Sequence, residues 1–310
     1  MKANTTREIV LWAVDPYSRN KGIICGMASA LKVLAKNSPL VIEPVYVLKK
    51  DLFDVPSKVP QETLTKIQRV LQKELSSILK KTSCPEFLPI KVLPQAVDAV
   101  SEQTKILLEY AHSKNASMIA LTTQAKKGMM RWIMGSFAES LSLISDVPLY
   151  LINPRDLRNT HLDHILFATD FSSQSKKAFL KVLPFAKARG SRVTLFHKSN
   201  LDWMLGLGSA YSSLPVYRKI FEEDLISKRI EAHKWSEIGR KKDVQVKSFF
   251  NLKQDVSASE AIVKYASKEG GIIALAGQSG KVSSILLGSV ARKVIRESPV
   301  PVWIVRAETN

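Results

Sequence analysis

LLEYAHSKNASMIALTT, residues 107–123, and IVKYASKEGGIIALAG, residues 262–277, are one pattern written twice: a helical period, a polar break, then a short apolar run. Tyr110 falls on Tyr265 at an offset of 155 residues. The same offset carries IVLWAVD, ending at Asp15, onto ILFATD, ending at Asp170, each an apolar run closed by a carboxylate. Further on, MGSFAESLSLISDVPLYLI from Met134 matches LGSVARKVIRESPVPVWIV from Leu287, with Gly135 on Gly288 and Pro148 on Pro301, now 153 apart. Three blocks in one order with two residues of drift indicate a duplicated unit.

A chain of 310 residues accommodates two units of about 150. In the second copy strands are expected at His164 to Thr169, Arg192 to His197, Val244 to Phe249, Ile272 to Ala276 and Val300 to Val305. Helices are expected from Ser172 or Ser173 to Gly190, about Val216 to Ile238, Ser259 to Lys268 and Ser289 to Arg296. Strands alternating with helices imply a parallel sheet covered on both faces, an α/β/α sandwich reached by right-handed crossovers. The expected fold is two tandem five-stranded parallel domains, 1–154 and 160–310, with the linker in Asn153 to Asp163, where Pro154 and mixed charges break both patterns.

Composition sets the class. Hydrophobic residues make up 45 % and charged residues 24 %, which is ordinary for a globular chain. The net charge of +18 is spread evenly, with 21 Lys/Arg against 13 Asp/Glu in residues 1–155 and 25 against 15 in the rest. Its basic residues stand mostly as pairs such as Lys126-Lys127 and Lys176-Lys177 along helical patterns, which suits solvated helix faces better than a nucleic-acid footprint. No signal-peptide pattern opens the chain and no apolar run approaches a membrane span, so a cytoplasmic location is expected. Cys25 and Cys84 are expected as reduced, packed thiols.

In an open parallel sheet, ligands bind beyond the carboxyl ends of the strands where the strand order reverses. The loop after the first strand of the second copy is Ala168-Thr169-Asp170-Phe171-Ser172, a carboxylate among hydroxyls. Asp170 suits a ribose or adenine donor, and it equally suits a cap for the helix that follows. After the fourth strand come Gly277-Gln278-Ser279-Gly280, seven residues, then Gly288-Ser289 opening a helix. Glycines that admit close backbone approach, with free amides at a helix N-terminus, make a phosphate cradle; the plainer account is turn glycine between strand and helix.

ILFATDFS, IIALAGQSG and ILLGSVARKVIRESPVPVWIVR together resemble the universal stress protein domain, and the resemblance covers nearly all of both copies. It implies a five-stranded parallel α/β fold in which nucleotide-binding members carry Gly-x-x-Gly, nine residues, then Gly-Ser or Gly-Thr around the phosphates. By that match the nucleotide-binding residues are Thr169, Asp170, Gly277, Gly280, Gly288 and Ser289, and the ligand is ATP, ADP or AMP, with a nucleotide-associated Mg the only metal implied. The link from Lys281 to Leu287 is two residues short of the pattern, and each lost amide contact costs ~1 kcal/mol. Weak binding, favouring a mono- or diphosphate, is the expectation. In the first copy Thr123 and Lys126 replace the early glycines, leaving a degenerate site of Asp15, Gly135 and Ser136. The resemblance also implies that the last strands, Val147 to Ile152 and Val300 to Val305, pair as an intrachain pseudo-dimer, with further homodimerisation open.

Two functions from different classes follow: a stress-response protein binding adenine nucleotide in its second copy, and a non-nucleotide interaction module or apolar-ligand binder on the same fold. Catalysis has no constellation to support it. His161 and His164 flank a strand entry on opposite faces, His112, His197 and His233 stand isolated, and no Cys/His metal spacing occurs, although slow hydrolysis of a bound nucleotide stays open. The apolar stretch Leu201 to Tyr211 fits no repeated pattern and reads as a loop folded onto the core or a lid.

Overall fold

The computed structural model describes residues 8–306 except 19, 37, 50–58, 81–86, 94–96, 98, 124–134, 154–160, 200–214, 254 and 278–287. The Leu201 to Tyr211 stretch, Lys126 and Gly280 lie outside the described residues. The N-terminal half runs β1 (Glu8–Ala13), α1 (Lys21–Ala35), β2 (Leu40–Val47), α2 (Gln61–Leu79), β3 (Lys91–Leu93), α3 (Val100–Ser113), β4 (Met118–Thr122), α4 (Ser136–Ile144) and β5 (Leu149–Ile152). The C-terminal half repeats it with β6 (His164–Ala168), α5 (Ser173–Arg189), β7 (Arg192–Lys198), α6 (Pro215–Arg240), β8 (Val246–Asn251), α7 (Ala258–Glu269), β9 (Ile272–Gly277), α8 (Ser289–Glu297) and β10 (Val302–Arg306).

The strands lie in the order β3-β2-β1-β4-β5-β10-β9-β6-β7-β8. Every pairing within a half is parallel, and the one between halves, β5 with β10, is antiparallel. Each last strand is thus the edge of its own five-stranded sheet and the middle of the ten-stranded whole. Helices α1, α2, α5 and α6 cover one face, over a core that includes Trp12, Tyr150, Phe167, Phe179, Trp235 and Trp303. On the other face α3, α4, α7 and α8 cover Leu11, Leu107, Leu149, Phe196, Ile262 and Val294. Strands buried on both faces read as continuous apolar runs, which is why IIALAG and VWIV lack period-two alternation.

Local signals fix the helix ends. Ser172 caps α5, its hydroxyl accepting the Ser175 amide at 3.2 Å, and Gly190 closes the helix at φ 64°. Ser257 and Glu260 form a reciprocal capping box on α7. Three strands begin two residues later than expected: β5 at Leu149 and β10 at Val302, each just after its proline, and β8 at Val246 rather than Val244. Val244 is buried, but its amide bonds the Gly239 carbonyl at 3.0 Å as part of the turn that ends α6. Its apolar side chain belongs to a helix cap and mimics a strand residue in the sequence.

The halves are stitched at the centre. Trp303 sits opposite Tyr150 in the β5–β10 register, both almost completely buried, and Phe185 of α5 packs on the indole at 4.6 Å. Two arginines of the C-terminal half reach across to helix-end carbonyls of the N-terminal half. Arg306 donates to the Ser142 carbonyl at 2.7 Å on one face of the sheet. Arg189 donates to the Leu34 carbonyl at 3.0 Å on the other, its guanidinium stacked 3.7 Å from the Phe185 ring. Burial pushes the Arg306 guanidinium down to about 10.

Candidate functional site

In each half the chain leaves the central first strand outward through two strands, then returns to the fourth strand on the other side. The reversal lies between β1 and β4 in the N-terminal half and between β6 and β9 in the C-terminal half. These are the switch points at which a parallel sheet opens a crevice.

At the C-terminal switch point the structure brings Thr169 and Asp170, leaving β6, beside Gly277, ending β9. Gly288 and Ser289 follow as the start of α8, which has no side-chain cap on its N-terminus. Asp170 does act as a local cap. One carboxylate oxygen accepts the Ser175 hydroxyl at 2.6 Å and the Ser172 amide at 2.9 Å. Burial alone would raise its pKa, but these bonds outweigh it and hold the carboxyl below its ordinary range. Thr169 turns its hydroxyl to the Phe171 amide at 2.9 Å, and Lys228 of α6 donates to the Asp170 carbonyl at 3.0 Å. Phe171 has a left-handed backbone, φ 60°, and such strain in a bulky residue persists only where packing over-determines it. Its ring is held by Trp235 at 5.1 Å, His197 at 5.4 Å and Phe250 at 6.0 Å.

The two described glycines of the cradle differ. Among the described residues, a Cβ on Gly288 would meet nothing within 4 Å. At Gly277 a Cβ would lie 2.6 Å from Arg306 Nη1 and 2.8 Å from Ile304 Cγ2. The absence of a side chain at Gly277 is therefore demanded by the arginine that ties the halves together, a reason the sequence does not announce.

The N-terminal switch point is built differently. Asp15 accepts the Tyr17 amide at 3.0 Å and pairs with Lys49 at 3.2 Å. Four residues separate Asp15 from Asn20, the N-cap of α1, where only Phe171 separates Asp170 from Ser172. Beneath that longer loop lies a cavity of about 510 Å³, reaching from Trp12 and Met27 to Gly135 and Ser136 at the uncapped start of α4. The three residues expected as a degenerate site do come together around it.

The histidines resolve individually. His161 pairs with Asp163 and His112 with Asp146, while His164, buried, bonds the Thr194 hydroxyl at 2.9 Å. His197 is not isolated as its sequence position suggests: its Nδ1 bonds the Thr169 carbonyl at 2.9 Å, and burial lowers its pKa. Neither it nor Lys228 carries a motif. Among the described residues no group of three or more His, Cys, Asp or Glu gathers as a metal site, and no helix is long and apolar enough to cross a membrane.

The model of the universal stress protein family matches residues 7–153 and again residues 161–306. The chain belongs to the universal stress protein family. It is a tandem member, one family unit in each half. A universal stress protein of Methanocaldococcus jannaschii is 30 % identical over 160 residues, covering 47 % of this chain and 96 % of that one. A universal stress protein from Archaeoglobus fulgidus matches the whole fold with a TM-score of 0.61 at 18 % identity, covering 98 % of this chain and 100 % of the other. A putative universal stress protein from Pseudomonas aeruginosa matches at a TM-score of 0.55 and 12 % identity, covering 96 % and 92 %. The double match, the sheet order and the central antiparallel pairing agree on a tandem universal stress protein fold.

Proposed function

We propose that this universal stress protein acts in the cytoplasm as a nucleotide-responsive regulator that binds an adenine nucleotide weakly in its C-terminal half, by binding rather than catalysis. What supports the proposal is an ionised Asp170 at the β6–β9 switch point, with Gly277 ending the neighbouring strand and a helix without a side-chain cap, α8, following it in the chain. Thr169 and Asp170 would meet the nucleoside, and the backbone at Gly277, Gly280, Gly288 and Ser289 would meet the phosphates. A metal, where one is needed, would arrive as Mg with the nucleotide.

The decisive substitution is at Gly288, because a side chain at Gly277 would displace Arg306 and disturb the junction of the halves. Calorimetric titration with AMP, ADP and ATP is expected to show heat for the unmodified protein and for Gly135→Val, and none for Gly288→Val. Loss of heat in Gly135→Val alone would move the site to the N-terminal half. A flat titration of the unmodified protein, with no adenine nucleotide released on denaturation by mass spectrometry, would leave the interaction-module reading in its place.

A further inference from the structure

The cavity of the N-terminal half keeps an uncapped helix start at Gly135 and Ser136, but it lacks the early glycines of a phosphate cradle. Among the described residues that line it, the charged side chains are Asp15 and Lys49, and these neutralise each other at 3.2 Å. Thr123 stands at the strand end where the C-terminal half has Gly277. Below the ion pair the walls are apolar and buried: Trp12, Val14, Ile24 and Met27, with the Tyr46 ring beside them. The lining also includes the polar side chains of Ser18 and Thr122, half-buried, and of Asn20 and Ser136, exposed and so taken as its rim. A polyanion entering here would find the Lys49 charge already matched by Asp15 and would lay its own charge beside aromatic and aliphatic walls.

The two halves differ at the turn after their first strand. In the C-terminal half the residue after the strand-end Asp is Phe171, and its ring packs into Trp235, His197 and Phe250. In the N-terminal half Pro16 follows Asp15, and four residues separate Asp15 from the N-cap of α1. The N-terminal half holds a chamber of about 510 Å³, comparable in size to small-molecule sites.

We infer that the N-terminal half is a second ligand site, separate from any nucleotide site of the C-terminal half, for an uncharged, mainly apolar molecule of one or two rings with one or two hydrogen-bonding groups. The body lies over Trp12, Ile24 and Met27, and its polar groups meet the rim at Ser18, Asn20 and Ser136. The Asp15–Lys49 pair stays closed beside it. This inference stands independently of whether the C-terminal half binds nucleotide.

The test uses the full chain and two fluorescent probes of similar ring size, uncharged N-phenyl-1-naphthylamine and anionic 8-anilinonaphthalene-1-sulfonate. The uncharged probe is expected to bind saturably at one site per chain, at least tenfold tighter than the anionic one. Met27→Trp, which fills the floor, and Ser18→Trp, which fills the rim and spares the core should the first variant fail to fold, are each expected to weaken it tenfold or more. Millimolar ATP, ADP or AMP is expected to leave the bound probe in place. Displacement by nucleotide in proportion to its occupancy, equal binding of the anionic probe, unchanged affinity in a folded Ser18→Trp chain, or no saturable binding would each overturn the inference.

Discussion

The two switch points descend from one pattern and have become different places. After β6 a single residue, Phe171, turns the chain into α5, and an aromatic cluster closes around it; after β1 four residues make the same turn, and a cavity remains. Asp170 is held by two serines, whereas Asp15 is neutralised by a lysine. A strand-end carboxylate kept by both copies thus says little about function. What differs is the length of the turn and whether the carboxylate is left with charge to offer.

The comparison presumes one sheet, and the strongest way to break it is at the junction. Trp303→Asp would place an unpaired carboxylate among buried rings at the β5–β10 seam, and a loss of about 4 kcal/mol or more is expected from the lost packing and the stranded charge. Urea unfolding followed by fluorescence and circular dichroism should show one destabilised transition. Wild-type stability, or unfolding confined to the C-terminal half, would mean that the halves stand without the seam.

Next in size is the aromatic plug. Phe171→Ala is expected to lose about 3 kcal/mol, as for other buried phenylalanines, while Pro16→Ala in the N-terminal half should cost less than 1. The same variant sharpens the comparison, because it should open volume beneath Asp170 and create a second site for the uncharged probe. Equal costs at the two positions would show that the rings do not account for the difference.

Smaller effects distinguish the carboxylates. Ser175→Ala removes a bond to the ionised Asp170 and is expected to cost about 0.5–1 kcal/mol at pH 7, the bond being partly screened at an exposed side chain. Because the folded-state pKa of Asp170 is depressed, that stabilisation is present above the unfolded pKa of about 3.9 and is lost as pH falls through the folded value. The gap between variant and wild type should therefore narrow in unfolding curves as the pH is taken down past the unfolded pKa, and a constant gap would assign the cost to packing. Lys49→Ala, at a pair 39 % and 31 % exposed, should change stability by no more than about 1 kcal/mol.

Much of the fold could be read in advance because strands and helices announce themselves locally. Ser172, Gly190, Gly288 and the repeated Pro148 and Pro301 each mark an element end, and those ends recur in the structure. The cavity was illegible for the opposite reason. It depends on side chains from β1, α1, β2 and α4 meeting in space, and the Asp15-to-Asp170 register runs straight past the three extra loop residues before α1. Gly277 shows a subtler limit: its position at a strand end suggested a phosphate, and the structure adds a second cause, a buried Arg306 that leaves no room for a side chain.

Arg306 has a consequence for how such a protein can change over time. In a dimer of two identical chains every substitution at the twofold seam appears twice, so a new buried guanidinium must be accommodated on both sides at once. Here the repeat position of Arg306 holds Asn153, and only one such arginine had to be fitted. Covalent fusion also removes the dependence of pairing on protein concentration, since the partner strand is always present at the same effective concentration. One copy is then free to shed its glycines and open a chamber while the other keeps them, and dilution never separates the two.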